Sequence, residues 1–362
     1  MPTDNNTHSR KMSDTKRIME CVPNFSEGRR PEAIEAIAAA IGSIEGTRVL
    51  HVDPGFDANR TVITFAGDPD AVVESAFRAV KCAAEQIDMR NHSGRHPRIG
   101  ATDVLPLVPV QGITLEECAE YARKLSKRIY EELGIPVYCY EAAAYKEKWR
   151  NLAVCRNGEY EALPRRITTP DEMPDYGGGE FTAQAARSGA SVVGARKFLI
   201  AVNFNLDKES SVQCAKEIAL DVHEKGRIIK RDGVALTDDD GQPLRRPGTL
   251  KACKAIGWYI EEYGRAQVSM NVTDIDVAPL HKVYEEVCRA AAARGARVTG
   301  TEIIGLVPQR VLAEAGRYFA GKRGAVCTDD DTAIAIAVEA LNLSEIAPYI
   351  PSERIIEKLI GG

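Results

Sequence analysis

The sequence predicts an α/β (α+β) protein of two related subdomains, each a mixed sheet with helices packed on one face. Three observations support this fold class. The chain has 362 residues, which suits two domains better than one. Its composition, 44% hydrophobic and 27% charged, is that of a folded globular protein. Segments of strand and helix character alternate along it, and their order recurs in the second half.

The first half follows the order β-α-β-β-α-β, the split βαβ pattern. Pro31 opens the first helix, in which Ile34, Ile37 and Ile41 recur at helical spacing. Prolines within the strand segment 101–110 favour an edge strand or an irregular one. The predicted elements are strands at 18–22, 47–53, 60–67, 101–110 and 136–140, and helices at 31–41, 69–87 and 114–133.

From residue 196 the same element order begins again, without a repeat at the level of residues. The predicted elements there are strands at 197–204, 255–262, 266–274 and 296–306, and helices at 208–225 and 279–293. We therefore expect subdomains at 18–195 and 196–340 and a tail at 341–362. Residues 1–17 are polar and lack an apolar stretch, so we expect a disordered leader rather than a signal peptide.

Charge, cysteine usage and hydropathy exclude several classes of function. A net charge of −5 argues against nucleic acid as a partner, because phosphate binding requires a basic surface. The nine cysteines are scattered without a C-x-x-C pair, so we expect most to fill the core of a protein in a reducing compartment. No segment approaches the roughly 18 apolar residues of a membrane-spanning helix. These features predict a cytoplasmic protein with no membrane partner.

Two irregular segments leave alternatives open. The segment 174–189 contains three consecutive glycines. It either links the two halves flexibly or lets the backbone approach a ligand closely. The segment 226–251 carries six basic residues around an acidic tip. It is either a solvated hairpin extension or a lid or rim for an anionic substrate.

The loop 92–100 carries the clearest signal for chemistry. His92 and His96 lie there among glycine, proline and arginine, between a helix and a strand, where side chains face solvent rather than a core. An imidazole with a pKa of about 6.5 takes up and returns protons at neutral pH. Arg95 and Arg98 would hold carboxylates by paired hydrogen bonds and would favour the neutral imidazole.

Other polar residues are expected at the same sheet edge. Asp53 ends a neighbouring strand and is a candidate to orient the histidine or to balance its charge, while Asn59 and Arg60 form another polar cluster. Gly94 disfavours the helix that would bring the two histidines to one metal, and Asp103 does not complete such a site, so we expect no metal. The sequence lacks G-x-S-x-G and Walker A motifs. A loop that merely caps the sheet is the structural alternative.

Eight short motifs connect the chain to a known family. They are ECVPNFSEG at 20–28, VDPG at 52–55, NRT at 59–61, HPRIG at 96–100, GEYEALP at 158–164, GARKFLI at 194–200, AIGWY at 255–259 and HKVYEE at 281–286. In this order they closely resemble the formiminotransferase domain of formimidoyltransferase-cyclodeaminases. The segment 347–356 resembles the stretch that joins that domain to the cyclodeaminase, so the second activity is expected to be absent from this sequence.

The resemblance implies glutamate formimidoyltransferase activity. In that reaction, N-formimidoyl-L-glutamate and tetrahydrofolate give 5-formimidoyltetrahydrofolate and glutamate, a step of histidine breakdown. The resemblance also implies a homodimer, tetrahydrofolate as co-substrate in a cleft between the subdomains, and a separate cyclodeaminase as a partner. The alternatives are a transferase that uses a formyl donor and a folate-binding protein without turnover.

The resemblance also assigns site residues. The family's catalytic histidine falls on His96, which we expect to act as general acid and base beside Asp53. The family's folate loop falls on 177–189, where QAARSG at 184–189 replaces the family's Pro-Ser-Trp-Gly. The residues expected to bind folate or the donor are Asn59, Arg60, His92, Arg98, Tyr176, Gly177, Gly178, Gly179 and Gly189.

Overall fold

The computed structural model describes residues 16–56, 58–94, 96–261 and 263–361. These residues form two compact units, which divide between Arg196 and Lys197. Each unit is a sheet with helices packed against it, so the predicted α/β class is confirmed. The prediction of a disordered leader falls mainly on residues 1–15, which lie outside the described residues.

The first unit is built on a seven-stranded mixed sheet. Its strands are β1 (Ile18–Cys21), β2 (Asn24–Phe25), β3 (Thr47–Gly55), β4 (Arg60–Gly67), β5 (Thr102–Gln111), β6 (Val137–Glu141) and β7 (Ser191–Ala195). Across the sheet, β3 pairs with β4, β4 with β1 and β2, and these two with β5, beyond which lie β7 and β6. The pairings of β7 are parallel and the others antiparallel.

Three long helices, all predicted, cover one face of this sheet. They are α1 (Pro31–Gly42), α2 (Pro69–Gln86) and α3 (Leu115–Leu133). The helical spacing in α1 buries Ile37 and Ile41 in one apolar cluster with Ile63 and Phe65 of β4. At the start of α3, Thr114 and Glu117 form a reciprocal capping box.

Shorter helices cover part of the opposite face. They are α4 (Leu152–Cys155), α5 (Leu163–Arg166) and α6 (Ala183–Ser188), with 3₁₀ turns at Met89–Asn91, Glu147–Arg150 and Tyr160–Ala162. Trp149 and Leu163 belong to a second apolar cluster with Tyr138 and Val192 of the sheet. In the described part of the chain, this cluster takes its strand residues from β5, β6 and β7. The β2–β4 end of the same face is left to polar residues.

The structure excludes one of the two alternatives that the sequence leaves open for each of two segments in this unit. The segment 174–189 does not link the two halves, because β7 follows it and pairs with β5 and β6 of the first sheet. The five residues of β7 are too few for periodicity to reveal a strand. Strand β5 does not lie at an edge; the register shifts in its pairings with β1 and β2 make it an irregular interior strand instead.

The strands of the second unit are β8 (Ile200–Leu206), β9 (Arg227–Ile228), β10 (Lys230–Arg231), β11 (Val234–Ala235), β12 (Arg245–Arg246), β13 (Cys253–Ile260), β14 (Arg265–Val272) and β15 (Val298–Ile304). Four of them form an antiparallel sheet in the order β13-β14-β8-β15. The helices of this unit are α7 (Val212–Val222), α8 (Leu280–Ala292), α9 (Gln309–Lys322), α10 (Asp330–Ala340), α11 (Pro351–Arg354) and α12 (Ile356–Gly361). Helix α7 packs on β13 and β14, and α8 packs on α7 and α9.

Within 226–251, β9 pairs with β12 and β10 with β11, so this segment forms a hairpin extension. All nine cysteines are free, and five of them are buried, as predicted for core residues: Cys21, Cys118, Cys139, Cys155 and Cys253. Among the described residues, no helix is both long enough and apolar enough to cross a membrane.

Candidate functional site

The register of the first sheet puts Asp53, Val62 and Asn24 in one row. Asp53 pairs with Val62 from one side and Asn24 pairs with it from the other. Since Ile63 faces the long helices, Val62 and its row lie on the opposite face, at the end that the second apolar cluster leaves open. Asp53 is exposed there, and its expected role beside His96 stays a prediction.

Asn59 joins three loops at this edge. It has a positive φ of 48°, which asparagine tolerates better than most residues. Its Oδ1 accepts a hydrogen bond from the backbone N–H of Gly28 at 3.0 Å, and its Nδ2 donates to the Ser93 carbonyl at 2.8 Å. Gly94 lies so close that a Cβ there would be 2.3 Å from the Ala58 carbonyl oxygen. Asn59 is 8% exposed, so its contacts hold these loops together, and its expected role in binding folate or the donor stays a prediction.

Both ring nitrogens of His92 are occupied by protein. Nε2 lies 3.0 Å from the Asn59 carbonyl oxygen, and Nδ1 lies 3.3 Å from Nε of Arg98. A carbonyl only accepts and a guanidinium only donates, so Nε2 carries the proton and the ring is neutral. Burial, together with the charge of Arg98, lowers the pKa of His92 and agrees with this assignment. His92 therefore holds the loop and has no free lone pair for acid–base work.

Arg98 is engaged by two carboxylates of the protein itself. Its Nη1 donates to Glu159 at 2.9 Å and to Glu161 at 2.8 Å, and its Nη2 donates to Glu161 at 2.6 Å. These bonds raise the pKa of Arg98. These two carboxylates take up several of the donors of Arg98, and its expected role in binding a substrate stays a prediction. Arg95, predicted to act alongside it, lies outside the described residues.

His96 differs from His92 in the hydrogen bonds of its ring nitrogens. Its Nδ1 is buried without a hydrogen-bond partner among the described residues. Burial, then the charges of Arg60 and Arg156, lower the pKa of His96 to about 4, against weaker opposing effects of the Pro97 carbonyl and Glu159. The imidazole is therefore neutral at pH 7, which is the form that takes up a proton.

Arg60 and Arg156 carry the charges that act on His96, and each leaves its Nη1 group without a hydrogen-bond partner in the described ranges. Arg60 donates from Nε at 2.6 Å, and also from Nη2, to the side-chain oxygen of Asn24. Arg156 donates from Nε at 3.2 Å, and also from Nη2, to the buried carboxylate of Asp103. Asp103 also accepts the backbone N–H of Ile99 at 3.0 Å, which anchors the loop that carries His96.

The residues of the expected folate loop, 176–179 and 189, do not lie together in the structure. Gly189 lies beside the histidine loop: a Cβ on it would be 2.3 Å from the Ile99 carbonyl oxygen, and it forms a bridge with Gly100. Tyr176 bridges to Val137 at the β6 edge, and its hydroxyl lies 3.2 Å from that of Tyr145. The three glycines that follow have these surroundings: Gly177 lies against Tyr130 and Pro136, Gly178 against Met173, and Gly179 donates to Ile167. Their role in folate binding stays a prediction.

A cavity of about 490 Å³ lies between the loop 92–94 and the segment 158–161. Arg98, Glu159 and Glu161 are among its lining residues, so its wall is polar and charged. His96 adjoins the cavity in sequence but does not line it. The volume lies within the usual range for ligand pockets, about 300–1,000 Å³.

Several site residues are not predicted from the residue pattern. Arg156 pairs with Asp103 across 53 positions and Glu161 with Arg98 across 63, and no local spacing announces such pairs. The resembling motif at 158–164 is the one signal that points to the two glutamates. Glu159 also has a positive φ of 56°, a strained backbone of the kind that gathers at functional sites.

Comparison with known proteins identifies the family. Residues 18–196 match the model of the formiminotransferase domain, N-terminal subdomain, and residues 201–361 match that of the formiminotransferase domain. The chain belongs to the formiminotransferase family. This confirms the resemblance drawn from the eight motifs.

Relatives of two architectures align with this family member. The formimidoyltransferase-cyclodeaminase of Gallus gallus is 44% identical over 344 residues, which cover 95% of this chain and 60% of that protein. The glutamate formimidoyltransferase of Streptococcus pyogenes serotype M1 is 38% identical over 303 residues, covering 84% of this chain and 93% of that protein. That of Thermoplasma acidophilum is 38% identical over 304 residues, covering 83% and 92%. The chain thus spans about 60% of the length of the bifunctional relatives.

Proposed function

We propose that this formiminotransferase is a glutamate formimidoyltransferase, which moves the formimidoyl group of N-formimidoyl-L-glutamate to N5 of tetrahydrofolate. The observation that carries the proposal is an imidazole, His96, that is neutral at pH 7 and close enough to Arg60 and Arg156 to feel their charges, in a chain of this family. The names of the relatives from Streptococcus pyogenes and Thermoplasma acidophilum support the same activity. Within the described residues, no group of three or more His, Cys, Asp or Glu side chains is placed to hold a metal.

The proposed chemistry needs one group that takes up a proton and later returns it. N5 of tetrahydrofolate attacks the formimidoyl carbon and forms the new N–C bond, while His96 accepts the N5 proton. The bond between that carbon and the glutamate nitrogen then breaks, and His96 donates the proton to the departing nitrogen. One proton moves from one amine nitrogen to another, so the imidazole ends as it began.

The arginines would serve this proton transfer in two ways. The Nη1 groups of Arg60 and Arg156 have donors available for the carboxylates of glutamate. A carboxylate bound there would offset the positive charge that lowers the pKa of His96, and so would make the imidazole a stronger base once the donor is bound. The carboxylate of Asp53, on the same sheet face, would balance the imidazolium that forms.

The proposal includes the expected partners. We propose a cytoplasmic homodimer, and a separate cyclodeaminase as the enzyme that takes the product. The relatives named formimidoyltransferase-cyclodeaminase, which join the two names in one protein, support the second statement. Light scattering after size-exclusion chromatography would measure the oligomeric state, and a monomer would contradict the first.

The experiment follows glutamate release from each donor. The chain is incubated with tetrahydrofolate and either N-formimidoyl-L-glutamate or N-formyl-L-glutamate, and His96→Gln serves as the matched variant. We expect release from the formimidoyl donor, and we expect His96→Gln to bind folate yet lose most turnover. Release only from the formyl donor, folate binding without release, or near-normal turnover of His96→Gln would contradict the proposal.

A further inference from the structure

A second cavity, of about 280 Å³, lies within the second unit, between the hairpin extension 226–251 and helices α7 and α8. Four arginines line it, two from the extension and two from the end of α8 and the residues after it: Arg227, Arg246, Arg289 and Arg294. Among the described residues that line it, Asp221 is the one carboxylate. Guanidinium groups repel one another, so four around one cavity favour a negative occupant.

The extension packs closely against the C-terminal end of α7. A Cβ on Gly226 would lie 2.0 Å from the Arg246 carbonyl oxygen, and one on Gly248 would lie 2.2 Å from that of His223. The backbone N–H of Thr249 donates to the Asp221 carbonyl at 2.8 Å. Only glycine permits this close approach, so the wall that carries Arg246 is a built part of the fold.

Two of the arginines are held in place by the same carboxylate. Arg227 donates to Asp221 from Nε at 2.9 Å and from Nη2 at 2.7 Å, and it also pairs with Glu217. Arg294 pairs with the other oxygen of Asp221 and donates to the Ala290 carbonyl at 3.1 Å. Asp221 therefore fixes the direction of two guanidinium planes while its single charge is shared between them.

The other two arginines keep most of their donors free. Arg289 forms one side-chain bond, from Nη2 to Glu286 at 2.5 Å, and is exposed. Arg246 is exposed and has no hydrogen bond or ion pair from its side chain to any residue in the described ranges. Each guanidinium has five N–H donors in a planar fork that matches a carboxylate or a phosphate.

We propose that this cavity binds a small oligoanion with two or three carboxylate or phosphate groups, with Arg246 and Arg289 as its principal contacts. The cavity is close to the lower end of the usual range for ligand pockets, about 300 Å³, which favours a compact ligand. The site is made by the second unit alone and does not depend on the proposed transferase activity. It also gives the basic segment 226–251 a role, as the rim of an anion site.

The test is calorimetric titration of the full chain with pyrophosphate and, separately, with citrate. Arg246→Gln with Arg289→Gln removes two charges from the cavity, and Lys230→Gln with Arg231→Gln removes two from exposed positions of the same extension. We expect at least one probe to bind the wild-type chain, and the cavity pair to weaken its Kd at least tenfold, while the control pair changes it less than twofold.

The probe that binds identifies the ligand class. Binding of pyrophosphate alone assigns phosphates, and binding of citrate alone assigns carboxylates. If neither probe binds at low ionic strength, the proposal is overturned, and the cavity holds only ion pairs of the protein itself. Equal weakening in the cavity and control pairs would also overturn it, because that result indicates diffuse attraction to a basic surface. Glutamate release is not part of this measurement, so its outcome is separate from that of the proposed activity.

Discussion

Replacing His92 by alanine is expected to reduce stability, whereas replacing His96 by alanine is expected to remove turnover. The two histidines lie four positions apart in one loop, and the sequence does not rank them by their surroundings. The contacts separate them. His92 has partners on both ring nitrogens, while Nδ1 of His96 has none among the described residues.

The size of each effect follows from those contacts. His92→Ala removes a hydrogen bond to the Asn59 carbonyl, worth about 1 kcal/mol, and one from the Arg98 guanidinium, worth about 1.5–3 kcal/mol and at the low end for its 3.3 Å length. It also loosens the loop that Asn59 ties together, so we expect a loss of about 2–4 kcal/mol. His96→Ala breaks no such bond and should change the free energy of unfolding by less than about 1 kcal/mol.

Urea unfolding followed by circular dichroism measures the free energy of unfolding of each variant, and glutamate release from N-formimidoyl-L-glutamate measures its turnover. We expect His92→Ala to move the midpoint of unfolding clearly below the wild-type value, with residual turnover in the folded fraction. We expect His96→Ala to keep the wild-type midpoint and lose turnover. The opposite assignment, with a stable, inactive His92→Ala and an unstable, active His96→Ala, would refute this account of the loop.

Two further outcomes are expected. The pKa of His96 is lowered to about 4 from an ordinary 6.5, so between these values the folded chain binds fewer protons than the unfolded one. The free energy of unfolding should therefore decrease as the pH is lowered from 6.5 towards 4, and it should decrease less in His96→Gln; urea titrations at pH 4.5 and 6.5 would measure this difference. An equal slope in both proteins would contradict the shift. A Cβ at Gly94 would lie 2.3 Å from the Ala58 carbonyl oxygen, so Gly94→Ala should lower the free energy of unfolding by about 1–3 kcal/mol. Gly321→Ala, in a helix with open space around it, should raise it by up to about 1 kcal/mol. Thermal unfolding measures both variants, and equal midpoints would contradict the close approach at Gly94.

Local pattern alone predicted much of the fold. The spacing of Ile34, Ile37 and Ile41 determined which face of α1 is buried, because a helix returns to the same side about every 3.6 residues. The paired strands of the second half, expected at 255–262 and 266–274, form at Cys253–Ile260 and Arg265–Val272. The strand β7 was not predictable in this way, because a run of five buried residues has no period to read.

For the candidate site, the sequence determined which chemical groups are available, and the tertiary structure decided which of them already have partners within the protein. Two histidines and two arginines in one loop indicate acid–base work near carboxylates, whatever the fold. Glu159 and Glu161 reach Arg98 from about 60 residues away and occupy it, and Asp103 orients Arg156 beside His96. These pairings depend on how distant segments meet across the sheet. No spacing along the chain encodes them, so only the folded structure distinguishes His92, whose two ring nitrogens have partners, from His96, whose Nδ1 has none among the described residues.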